Sequence, residues 1–115
     1  MKIYVAGPIR AESPDEARGN VYRAIDTGIA LHKAGHSPYI PHFTRMVDGV
    51  LRARDESWPQ DEWLRWDFAW LEACDAVLVI GRVSDAVQRE IDHAYSKGIP
   101  VFDRLEDLPS VCGYT

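Results

Sequence analysis

Residues 76–98 open with Ala76-Val77-Leu78-Val79-Ile80, break at Gly81, and continue through Ser84-Asp85-Ala86-Val87-Gln88-Arg89-Glu90 to Lys97-Gly98. The first five residues form an uninterrupted apolar run of the kind that makes a strand buried on both faces, and Gly81 ends it. From Asp85 the pattern turns helical, and Gly98 stands where a left-handed helix cap is wanted. A buried strand, a polar loop at its carboxyl end and a helix returning over that loop place Glu90 where open parallel sheets bind their ligands. Glu90 is therefore the first candidate for chemistry, although a carboxylate one turn into a helix also simply favours the helix dipole.

The remainder of the chain repeats this alternation. Lys2 to Ala6 is a short strand stopped by Gly7-Pro8, and Ser13-Pro14-Asp15-Glu16 combines an N-cap, a proline at the first helical position and a capping-box glutamate. The helix that follows extends to Lys33-Ala34, with Ala17, Val21, Ala24, Ile25, Ile29 and Leu31 at helical spacing and Gly35 as its cap. His36 to Ile40 reads as a second strand, and Pro38 assigns it to an edge. Thr44 to Trp58 fits either a short helix or an ordered lid. Ser57-Trp58-Pro59-Gln60 offers another capping signal, and the segment from there to Ala73 contains no helix breaker. Within it Leu64, Phe68 and Leu71 mark one stripe, and Trp63, Asp67, Trp70 and Cys74 mark its neighbour. Ile99 to Phe102 is a fourth strand, and the tail from Asp103 to Thr115 holds at most a turn of helix.

Strands alternating with helices through short loops predict an α/β fold, a flavodoxin- or Rossmann-like three-layer sandwich. Its four-stranded, mainly parallel sheet has the order 2-1-3-4 and spans residues 1–115 as one domain. In that order the loops after Ala6 and Ile80 face each other across a single crevice.

Composition narrows the function. A net charge of -5 argues against a binder of nucleic-acid backbone, and no stretch is long and apolar enough to span a membrane. The opening Met-Lys-Ile-Tyr-Val, soon broken by Gly7-Pro8, is too short for a signal peptide, so the expected location is the cytoplasm. Cys74 and Cys112 are read as reduced thiols. Ten of the thirteen basic residues are arginine, the side chain suited to gripping phosphate or carboxylate. His93 lies three residues after Glu90, but His32, His36 and His42 supply no convincing ligand spacing, and neither a metal nor a cofactor is expected.

Asp67 lies between two tryptophans on its stripe, so desolvation would raise its pKa toward values useful in proton transfer; the alternative is an interfacial aspartate paired with Arg10 or Arg45. Tyr4, alternating with Ile3 and Val5, faces the opposite side of the sheet from them and is either a core tyrosine or a site residue.

Tyr4-Val5-Ala6-Gly7-Pro8, the run Trp66-Asp67-Phe68-Ala69-Trp70-Leu71-Glu72-Ala73-Cys74-Asp75-Ala76-Val77, and a serine six residues before Glu90 together resemble the nucleoside 2-deoxyribosyltransferase superfamily. That group includes the 2'-deoxynucleoside 5'-monophosphate N-hydrolases, whose first loop Gly7-Pro8-Ile9-Arg10 matches most closely. The resemblance covers about three quarters of the chain. It implies that Glu90 is a nucleophile attacking an anomeric carbon, that Tyr4 orients it, and that Asp67 handles the proton of the leaving base. It also implies that Gly7, Pro8, Ile9, Arg10, Ser84, Asp85 and Arg89 bind substrate, a nucleoside or nucleotide. The chain departs from the family pattern where Ala86 and Gln88 replace glycines, and where Asp85 follows the phosphate-contacting Ser84.

The leading expectation is cleavage of an N-glycosidic bond by hydrolysis or 2-deoxyribosyl transfer. The rivals are a catalytically silent nucleotide-binding or sensing module of the same fold, and an interaction domain built on the four tryptophans. The resemblance also implies a homodimer or larger homo-oligomer, and the apolar surface of the Trp58, Trp63, Trp66 and Trp70 segment supplies a face for it. Light scattering at micromolar concentration is expected to give at least twice the mass of one chain; a monomer would refute this.

Overall fold

The computed structural model describes residues 1–109. Four strands, β1 (Lys2–Ala6), β2 (Ser37–Tyr39), β3 (Ala76–Val79) and β4 (Val101–Phe102), form one all-parallel sheet in the order β2-β1-β3-β4. The helices are α1 (Pro14–Lys33), α2 (Thr44–Ala53), α3 (Gln60–Glu72) and α4 (Asp85–Ser96), with short 3-10 turns at Pro41–Phe43 and Leu105–Asp107. The class and strand order are those expected from the alternation of apolar runs and helical periods.

Handedness sorts the layers. The chain steps from β1 to β2 in one direction and from β2 over β1 to β3 and on to β4 in the other, so right-handed crossovers place α1 on one face and α3 and α4 on the opposite one. Alternation along the strands then divides the core. Ile3, Val5, Ala76 and Leu78 pack with Ala24 and Leu31 of α1, whereas Tyr4, Ala6, Val77 and Val79 pack with Leu71 of α3 and with Val87 and Ala94 of α4.

α1 begins as its sequence demands. Ser13 is extended and its hydroxyl accepts from the Glu16 amide, Pro14 occupies the first turn, and Gly35 follows the helix at φ 93°. Its buried stripe differs from the expected one, however: Ala17, Asn20, Ala24, Gly28 and Leu31 face the sheet, while Ile29 is exposed. Close approach is the reason at Gly28, where a Cβ would lie 2.5 Å from Ile40 Cδ1, so that a larger residue does not fit there.

The remaining differences are local. Thr44–Ala53 is the helix rather than the lid of the two forms its sequence allowed. α3 starts at Gln60 after an extended Pro59, with no side chain capping it, so the Ser57 signal is not used. Strand β4 keeps only Val101 and Phe102, because Pro100 has no amide to donate. Cys74 is a free, half-buried thiol whose pKa burial raises to about 11, while Cys112 and the end of the tail lie outside the described residues.

The loops after β1 and β3 meet at the carboxyl end of the sheet. A Cβ at Gly7 would fall 2.6 Å from Ile80 Cγ1 and 3.1 Å from its carbonyl oxygen, and Gly81, at φ 66°, sits beside Pro8. Gly7→Ala should therefore destabilise the chain by about 1–3 kcal/mol, measured by urea denaturation. A change below the error of that measurement would show that Ile80 yields freely.

Candidate active site

Tyr4 is wholly buried at 0% exposure, and its hydroxyl donates to Glu90 Oε2. The contact joins β1 to α4, and each element aims its side chain for a simple reason. Tyr4 lies on the α3/α4 face because it alternates with Ile3 and Val5. Glu90 falls on the buried stripe Val87, Glu90, Ala94 of α4. That helix is fixed by Ser84, whose hydroxyl accepts from the Val87 amide at 3.3 Å, so the serine named from sequence serves as an N-cap.

Asp67 is the third buried polar group, at 7% exposure against 5% for Glu90. It occupies the buried stripe of α3 together with Leu64 and Leu71. Its burial is the desolvation that its place on the stripe implied. Trp63 turns toward Trp58 and Trp66, with ring centroids at 4.8 and 6.3 Å, and Trp70 is 51% exposed. Asp67 does not pair with an arginine: it makes no ion pair among the described residues, and its Oδ1 is buried without a hydrogen-bond partner. A buried acceptor left unpaired is costly unless the carboxyl keeps its proton.

Electrostatics follow from this burial. Burial raises Asp67 to about 7. Glu90 rises to about 8, chiefly through burial, with the Asp67 charge adding to the rise and the Tyr4 hydrogen bond opposing it. The Tyr4 hydroxyl is itself held well above its ordinary value by burial and by both carboxylates, so it remains a donor throughout the neutral range. Two desolvated acids that feel each other titrate as a pair. Between those values the pair passes through a form with one proton and one negative charge; burial favours the proton on Glu90, and the Tyr4 donor works the other way, favouring the charge there.

The other residues named from sequence are distributed as follows. Gly7 and Pro8 are buried in the first loop, Ile9 is half-buried, and Arg10 is exposed. Asp85 is exposed in the first turn of α4. Arg89 points away along the outer side of that helix to Asp61, 3.5 Å distant, so neither it nor Arg10 forms an ion pair with Asp85 among the described residues. His93 stacks flat on Phe68 at 4.1 Å and meets Glu72 at 2.9 Å. Among the described residues no group of three His, Cys, Asp or Glu side chains gathers in a metal-binding arrangement.

Two residues at the site were not picked out from the sequence. Tyr39 of β2 stacks on Tyr4 with centroids 5.6 Å apart, a contact that the register Tyr4↔Tyr39 makes inevitable once β2 is known to lie beside β1. His42 is buried with Nε2 3.2 Å from the Pro8 carbonyl oxygen, so that nitrogen carries the proton if the bond is made, and Nδ1 has no partner. Burial lowers its pKa. His42 also lines a groove of about 480 Å³ with Arg18, Tyr22, Phe43 and Arg45. A second groove of about 520 Å³ lies between α3 and α4 beside Asp61, Phe68 and Arg89. Neither is lined by Tyr4, Asp67 or Glu90, which sit deeper, against the sheet.

This parallel α/β fold is shared with a known enzyme structure. A 2-deoxyribosyltransferase from the psychrotolerant bacterium Bacillus psychrosaccharolyticus, described as a biocatalyst for synthesis of antiviral and antitumoral nucleosides, superposes with a TM-score of 0.58 at 18% identity, covering 88% of this chain and 69% of that one. At that identity the likeness establishes the fold. The chain belongs to the family described as Domain of unknown function (DUF7768), whose model matches residues 1–104. No curated protein matches it.

The raised carboxyls bear on stability. The folded chain holds protons on Asp67 and Glu90 to about pH 7 and 8, against ordinary values of 3.8 and 4.5, so it binds more protons than the unfolded chain in between. The stability contributed by these groups is fully present below about pH 4 and is lost as pH rises toward 8. Glu90→Gln should flatten this loss and raise stability at pH 8 by on the order of 2 kcal/mol, read from denaturant titrations at several pH values. Unchanged pH dependence in Glu90→Gln and in Asp67→Asn would refute the buried-acid account.

Proposed function

We propose that the chain cleaves the N-glycosidic bond of a nucleoside or nucleoside 5'-monophosphate, by hydrolysis or 2-deoxyribosyl transfer, and belongs with the nucleoside 2-deoxyribosyltransferase-like enzymes. The observation that carries the reading is the buried Tyr4–Glu90 hydrogen bond with the unpartnered carboxyl of Asp67 close enough to raise the pKa of Glu90. The fold shared with a 2-deoxyribosyltransferase supports it.

In this reading the one-proton form of the acid pair is the working one. Glu90, ionised and steadied by the Tyr4 hydroxyl, attacks the anomeric carbon. The bond from that carbon to the base nitrogen breaks, and Asp67 delivers its proton to the departing base. Water or a second base then attacks the same carbon, gives its proton to the Asp67 carboxylate and releases Glu90 as a carboxylate. Burial serves both halves: it raises Asp67 far enough for a proton to be exchanged there near pH 7, and it leaves a charge on Glu90 poorly solvated and reactive toward a carbon acquiring positive charge. Gly7 to Arg10 and the amino end of α4 at Ser84 and Asp85 flank the sugar side.

The silent-binding alternative draws on the same loop. The Ser84 hydroxyl already caps α4, and Ala86 and Gln88 stand where glycines would let backbone approach a phosphate. One experiment separates the two readings. Incubation with a panel of ribo- and deoxyribonucleosides and their monophosphates should release free base, with a rate maximum near pH 7–8 as the acid pair passes through its one-proton form. Glu90→Ala should lower the rate by about a thousandfold or more, and Tyr4→Phe by roughly ten- to a hundredfold. Thermal stabilisation by a nucleotide without base release would establish the silent module instead. Release that persists in Glu90→Ala would refute the mechanism.

A further inference from the structure

Tyr39 reaches the site from the weakest strand of the sheet. β2 has three residues, lies at the edge and contains Pro38, so its own ladder bonds hold it poorly. Its central contact is nevertheless well defined. One face of the Tyr39 ring stacks on Tyr4 at 5.6 Å with planes 25° apart, and Trp70 of α3 stacks on Tyr39 at 5.4 Å and 12°. The Tyr39 hydroxyl accepts from Trp66 Nε1 at 3.1 Å. Two side chains of α3, one turn apart, thus grip a ring of the edge strand, and that ring rests on the side chain that donates to Glu90.

We infer that Tyr39 is a positioning residue: held by Trp66 and Trp70, its ring braces the Tyr4 ring and fixes the direction of the Tyr4 ring axis, so that the Tyr4 hydroxyl stays on Glu90. The same clamp ties α3, which carries Asp67, to the strand that carries Tyr4, so the acid and the nucleophile's donor move as one body. Stacking of aromatic pairs adds enough beyond buried area to bias one ring placement by roughly two- to tenfold. The kinetic consequence rests on Glu90 being the nucleophile, whereas the geometric inference does not.

Two arms test it. In the free protein, the Tyr4 hydroxyl proton, identified by its loss in Tyr4→Phe, should give a resolved downfield proton resonance. That resonance should persist in Tyr39→Phe, which keeps the stack, and broaden or shift upfield in Tyr39→Leu. Trp70→Leu, changed on the exposed side of the clamp, should do the same and serves if Tyr39→Leu does not fold. Absence of the resonance in the wild-type protein, or its persistence unchanged in both leucine variants, overturns the inference. In the base-release assay, Tyr39→Leu should lower kcat by roughly 10–100-fold, the cost of misplacing a reacting group, and leave KM within about twofold. Tyr39→Phe should retain at least half the activity. Added to Tyr4→Phe, the Tyr39→Leu change should have no further effect, because Tyr39 acts through Tyr4; additive losses overturn the inference. If the wild-type protein releases no base from any substrate, the nucleophile assignment fails, and the proton resonance still decides the role of Tyr39.

Discussion

The hydrogen bond from Tyr4 to Glu90 is made between two buried side chains, and much of the molecule is arranged so that it can be. It joins the central strand β1 to helix α4, elements separated by most of the chain, on the side of the sheet away from α1. Removing a carboxyl from water is expensive unless it is paired or protonated, and here the hydroxyl supplies one of the two remedies while a retained proton supplies the other. Asp67 has only the second. Its Oδ1 lacks a partner among the described residues, and its pKa lies near neutrality because burial has no opposing hydrogen bond there. The fold thus holds two acids in unlike environments, an arrangement suited to giving one the work of a base or nucleophile and the other that of an acid.

The support for this arrangement is uneven. Strands β1 and β3 are buried on both faces and are bridged at their carboxyl ends by the close approach of Gly7 to Ile80. α4 is anchored by the Ser84 cap and its apolar stripe. β2 is short and marginal, and aromatic contacts stand in for the ladder bonds that it lacks. Tyr39, Trp66 and Trp70 connect that edge strand to α3, and Trp58 and Trp63 extend the same cluster to the start of the helix. The exposed rings Trp66 and Trp70 are therefore partly accounted for by contacts within the chain, which weakens a reading of the tryptophans as an interaction patch alone.

The sequence by itself determined the class of fold and the first carboxylate. Apolar runs ending at Gly7 and Gly81, a proline-marked helix start at Ser13 and glycine caps at Gly35 and Gly98 are local signals, and local signals are sufficient when each strand is followed by its own crossover. Strand alternation put Tyr4 opposite Ile3 and Val5, and helical spacing returned Glu90 over its loop, so both ends of the central hydrogen bond were legible before their contact was. Only the tertiary structure decided what depends on rotation and neighbours. The buried face of α1 runs through Asn20 and Gly28 because of how closely the helix packs, and the face of α3 runs through Leu64, Asp67 and Leu71 while its tryptophans meet Trp58, Tyr39 and one another. Arg89 turns to Asp61, and Tyr39 meets Tyr4 only because β2 and β1 align in parallel at that register. Periodicity along a chain specifies which residues share a face; which face is turned inward, and against what, is set by packing between elements far apart in sequence.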